Sequence, residues 1–172
     1  MICYNAAKRM SVSVETNERK EPYPEFYTMK ISYANICLGE TPWVALGNFM
    51  NNFFGYARGR RADLIAEAIS MPLDATLEQQ QWAVFCAASV EYLCKKYHLD
   101  CPPWVQNPSI VSLSEPWYHF PAALTNSAVR ERLIRETPQE FACKNIYCGN
   151  RVYANKYEAA AELRQKNPPM KE

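Results

Sequence analysis

A chain of 172 residues fits one domain, and with 48% hydrophobic and 13% aromatic residues it can build a core, which excludes a natively disordered protein. A net charge of +1 excludes the strongly basic balance of a general nucleic-acid binder, though not a local basic patch. No apolar run approaches the roughly 18 residues that span a bilayer, and the opening MICYNAAKRM lacks the apolar stretch of a secretory signal, so cytoplasmic residence is expected.

Residues 1–28 read as a polar, partly disordered N-terminal segment in which Met10 is an alternative start. The alternation in Met10–Val14 and again in Met29–Tyr33 suits short extended segments near the N-terminus. The first strong helix signal is Thr41-Pro42, a cap followed by a proline at the first helical position, where its missing N–H costs nothing. Trp43, Leu46, Met50, Phe53, Phe54 and Ala57 then recur at helical spacing as a buried face, with Gly55 or Gly59 ending or bending the helix. A second helix is predicted from Arg61 to Ile69, stopped by Pro72.

The spacing next predicts a central helix from about Leu77 to His98. Trp82, Phe85, Cys86, Val90, Leu93, Cys94 and Tyr97 point inward, with alanines thickening the stripe, as in a hub helix. A connector carrying Pro102, Pro103, Trp104, Pro108, Pro116 and Trp117 follows; its aromatics need a surface to pack on, so it should lie ordered across the domain. Further helices are predicted over Ser127–Glu136, near Pro138–Tyr147 and over Lys156–Lys166. The expected fold class is mainly α: a single compact domain of about five or six helices spanning 29–166, with 167–172 as a tail.

The seven cysteines are odd in number and show no C-x2-C pair, so reduced and mostly buried thiols are expected, with no metal and no cofactor. Cys94, His98 and Cys101 draw a zinc site on paper but lack a fourth ligand. His98 falls where an imidazole caps a helix C-terminus, and His119 has no visible catalytic triad. Phosphate-binding glycine loops, the G-x-S-x-G elbow and the H-E-x-x-H helix are missing from the sequence.

Two surface candidates remain. Arg58, Arg60 and Arg61 place three guanidiniums in four residues, able to fork onto phosphates or, in the plainer reading, to solvate a turn. Arg130, Arg132 and Arg135 alternate with Glu131 and Glu136 and read as a mixed-charge exposed face. The second candidate joins Trp104, Trp117 and Tyr118 of the connector to Asn145, Tyr147 and Arg151, because tyrosine, tryptophan and arginine are enriched at interface hot spots.

The passages Pro103-Trp104-Val105-Gln106-Asn107-Pro108, Glu115-Pro116-Trp117-Tyr118 and Thr137-Pro138-Gln139-Glu140-Phe141-Ala142-Cys143-Lys144-Asn145-Ile146-Tyr147 resemble those of a family of small, mostly uncharacterised bacterial helical proteins. The resemblance covers roughly residues 41–150. It implies an antitoxin-like or regulatory component. The expectation is therefore a non-enzymatic protein that binds a protein partner through Trp104, Trp117, Tyr118, Asn145, Tyr147 and Arg151. Alternatives are a nucleic-acid-binding regulator using Arg58, Arg60 and Arg61, and a small enzyme of unrecognised type.

Overall fold

The first helix among the described residues is capped by Thr28, whose hydroxyl accepts the Ile31 amide and starts α1, Met29–Cys37. The computed structural model describes residues 26–155, 157–160 and 166. Within them the chain is mainly helical. The extended reading of Met29–Tyr33 is corrected, because the buried residues are Met29, Ser32, Tyr33 and Ile36, a helical stripe. Over five residues an alternation and the first turn of such a stripe look alike. The Met10–Val14 expectation lies outside the described residues.

Helix α2, Pro42–Asn51, carries its proline at the start and buries Ala45, Leu46 and Phe49. It does not stop at a glycine but widens into a π-helical turn, Asn52–Tyr56, closed by the Ala57 amide on the Asn52 carbonyl at 2.8 Å. A 3-10 turn, Arg58–Arg60, leads into α3, Arg61–Ala66, shorter than predicted. The widened turn changes the meaning of the arginine cluster. Arg58 Nε donates to the Phe54 carbonyl at 2.6 Å and Arg61 Nε to the Phe53 carbonyl at 3.0 Å. The Arg61 guanidinium also lies 4.1 Å from the Tyr97 ring centroid, while Arg60 pairs with Asp63 at 2.8 Å.

Helix α4, Leu77–Tyr97, is the hub. Thr76 and Gln79 form a capping box at its start, and every residue from Trp82 to Val90 is buried. His98 does cap the far end, but with its backbone and not its imidazole: it takes the left-handed conformation, φ 54°, and its N–H reaches the Cys94 carbonyl. Helix α4 packs on α1, on the connector, and on α7, Gln139–Ala142.

The connector is ordered. Two proline-initiated 3-10 turns, Pro103–Gln106 and Pro108–Ile110, bury Val105 and Ile110, and Trp104 Nε1 donates to the Ile65 carbonyl at 2.9 Å. It ends in strand β1, Trp117–Tyr118, followed by α5, Ala122–Thr125, and α6, Ser127–Glu136. The helix predicted over Pro138–Tyr147 is realised only as α7. Asn145 adopts φ 62° and turns the chain into β2, Ile146–Tyr147, which pairs in parallel with β1. These two strands, the only ones among the described residues, lie far along the chain.

Segment 144–147 laces the connector down. Lys144, only 3% exposed, donates from Nζ to the Val111 carbonyl at 3.0 Å and pairs with Glu91 at 3.3 Å. Asn145 Nδ2 donates to the Leu113 carbonyl at 2.7 Å. Residues 157–160 are helical, within the predicted last helix; most of the rest of that helix, and residues 167–172, lie outside the described residues. No helix among the described residues is long and apolar enough to cross a membrane.

Candidate docking cleft

The Thr41-Pro42 helix start places Trp43 in the first turn of α2, where its indole straddles core and surface at 36% exposure. Trp43 was expected on the buried face; it stands at the margin instead. Across from it, the chain leaving β1 continues the ladder for one more bond, His119 N–H to the Tyr147 carbonyl at 3.1 Å. This fixes His119, and Trp43 Nε1–H donates to His119 Nε2 at 3.1 Å.

Because Nε2 accepts, the neutral imidazole carries its proton on Nδ1. Nδ1 is buried and has no hydrogen-bond partner among the described residues; the imidazole sits among Trp43, Trp82, Phe85, Trp117 and Phe120 in mainly edge-to-face contacts. Burial lowers the His119 pKa from 6.5. A second proton on Nε2 would also displace the Trp43 donor.

A pH dependence follows. The unfolded chain takes up a proton near 6.5 while the folded chain resists it, so this contribution to stability is intact above pH 6.5. It falls as pH drops below that value, by at most about 1.4 kcal/mol per unit. Thermal melts at pH 7.5 and 5.5 should show the loss in the wild type. It should be smaller in His119→Gln, whose amide oxygen accepts without titrating.

Beside this cluster opens a cleft of about 310 Å³, walled by Trp43, His119 and Phe120, by Arg132, Leu133 and Glu136 of α6, and by the turn from Cys148 to Val152. The turn is held from α6: Thr137, its C-cap, accepts the Cys148 amide at 3.0 Å and the Gly149 amide at 2.8 Å. Gly149 needs its φ of 72°, and a Cβ there would meet Leu133 Cδ2 at 3.4 Å. Cys148 is buried at the cleft floor, and burial pushes its thiol pKa up to about 12, so it stays protonated.

The six residues expected to bind a partner are dispersed. Arg151 lines the cleft, and Trp117 lies beneath it, with its ring 5.9 Å from His119 and 5.2 Å from Trp82. Tyr118 and Tyr147 stack on each other at 5.1 Å, with Arg130 over Tyr118. Asn145 is taken up by the turn into β2, and Trp104 belongs to a separate contact with the residues of α3. Arg58, Arg60 and Arg61 line no part of the cleft; their side chains bind the π-turn and Asp63.

Sequence reasoning missed Trp43, Phe120, Arg132, Glu136 and Val152 as neighbours. The only local signal was Phe120, an aromatic next to His119 that ends 48% exposed. Among the described residues no group of three or more His, Cys, Asp or Glu side chains is arranged to hold a metal ion. No protein-family profile matches the chain, nor does any curated protein or solved structure.

Proposed function

We propose that this is a non-catalytic, cytoplasmic binding protein whose cleft receives an anchoring side chain from a protein partner. The observation that carries the reading is the pairing of an apolar floor with half-exposed aromatic walls at Trp43 and Phe120. Exposed aromatics at a pocket supply contact area at little side-chain entropic cost, as interface hot spots do. At about 310 Å³ the cleft stands at the low end of ligand pockets, about 300–1,000 Å³, which suits one anchor better than a large cofactor. The antitoxin-like or immunity role implied by the sequence resemblance is one form this binding would take.

The test is a displayed random-peptide library selected on the immobilised protein, with affinities of the winners measured by calorimetry. Phe120→Ala should weaken them about tenfold or more. Tyr56→Ala serves as control: Tyr56 is exposed and sits roughly 20 Å from Trp43 along the helix axis. Failure to enrich any peptide, or equal weakening by both substitutions, would sink the reading.

A further inference from the structure

We infer that the cleft selects a partner segment in which a large apolar side chain is closely followed by a carboxylate, and that Arg151 reads that carboxylate. The inference rests on the docking role proposed above and adds the chemistry of the occupant. The cleft's one lining acid among the described residues is already engaged. Glu136 takes Arg132 Nε at 3.3 Å on one oxygen and Arg135 at 3.8 Å on the other. An arriving cation therefore meets Arg132 and a carboxylate that Arg132 and Arg135 already share. Arg151 differs: it is exposed at the cleft and has neither an ion pair nor a side-chain hydrogen bond among the described residues. An arriving carboxylate meets a free guanidinium with its planar fork available.

His119, neutral and turned to Trp43, adds no charge of either sign at the wall. Two further apolar side chains are exposed close in the chain to the cleft's aromatic walls: Val44, next to Trp43, is 51% exposed, and Leu124, four residues after Phe120, is 65% exposed. A small molecule filling the cleft would leave that surface bare, whereas a peptide segment crossing it would cover more.

The experiment titrates unlabelled heptapeptides, Gly-Ser-Phe-X-X-Ser-Gly with X as Glu, Gln or Lys, and free 3-phenylpropionate, into the full chain by calorimetry. The Glu peptide should bind about fivefold more tightly than the Gln peptide, and the Lys peptide more weakly still. Arg151→Gln should erase the difference between Glu and Gln. Equal affinities for all three overturn the inference; if Phe120→Ala still weakens them, docking at the cleft stands without acid selection. A preference that survives Arg151→Gln overturns the role of Arg151. Binding of 3-phenylpropionate with no peptide binding makes the cleft a small-molecule pocket and overturns the inference, and so does an absence of binding by every probe.

Discussion

Replacing Lys144 with methionine should destabilise the protein by about 3 kcal/mol, the scale of breaking a buried ion pair by deleting one partner. For a chain of this size that is a drop of about 6–12 °C in melting temperature. The change leaves the Val111 carbonyl without its donor and removes the cation beside Glu91, a carboxylate only 16% exposed that keeps the Gln106 amide as its remaining partner. Pairing Lys144→Met with Glu91→Gln should recover part of the loss, since the unpaired carboxylate charge is then gone too. Lys95→Ala is the contrast. Its bond to Glu140 is shorter, at 2.6 Å, but the lysine side chain is 70% exposed, and the cost should stay under about 1 kcal/mol. Equal melting shifts for Lys144→Met and Lys95→Ala would refute the lacing role of Lys144.

Arg61→Ala should cost about 2–3 kcal/mol, and Arg60→Ala under about 1, although the two are neighbours in one basic cluster. The difference lies in the π-turn. Widening the helix withdraws backbone donors from the Phe53 and Phe54 carbonyls, and the guanidiniums of Arg61 and Arg58 replace them. Arg61 adds its stack on Tyr97 at 4.1 Å, while Arg60 has an exposed pair with Asp63 and a longer contact over Phe26, at 4.9 Å. Denaturant melts of the two variants separate the cases. Within the cluster each arginine gives its Nε–H to a partner in the chain, Arg58 and Arg61 to the π-turn carbonyls and Arg60 to Asp63. If DNA were bound and the affinity at low salt fell equally for both variants, the cluster would have to be read as a phosphate contact after all.

Where local rules act alone, sequence and structure coincide. The Thr76–Gln79 box and the apolar run from Trp82 to Val90 place the hub helix, and Asn126 caps α6 where its pattern begins. Disagreement arises where a distant contact decides. Nothing local marks the break after Ala142, because Asn145 is held in its left-handed turn by the Leu113 carbonyl, 32 residues away. The π-turn likewise depends on carbonyl acceptors finding arginines downstream. The cleft was least legible, since its walls come from α2, from the end of β1, from α6 and from the turn after β2. Only Arg151 of the expected contact residues lines it, and that residue was singled out for its type, not its neighbours.

The two-residue ladder between Trp117–Tyr118 and Ile146–Tyr147 divides the molecule mechanically. Between these strands the chain leaves the hub through α5 and α6 and returns to it at α7, and α6, the longest helix in that excursion, buries only Leu133 among its residues. An element with so little buried surface opens at lower free energy than α4, whose middle is enclosed on all sides. One wall of the cleft thus belongs to the firm part of the protein, at Trp43, and the opposite wall to the yielding part, at Arg132 and Leu133. An occupant bridging them would transfer the hub's resistance to unfolding onto α6, so the gain in protection on binding would be concentrated in that helix.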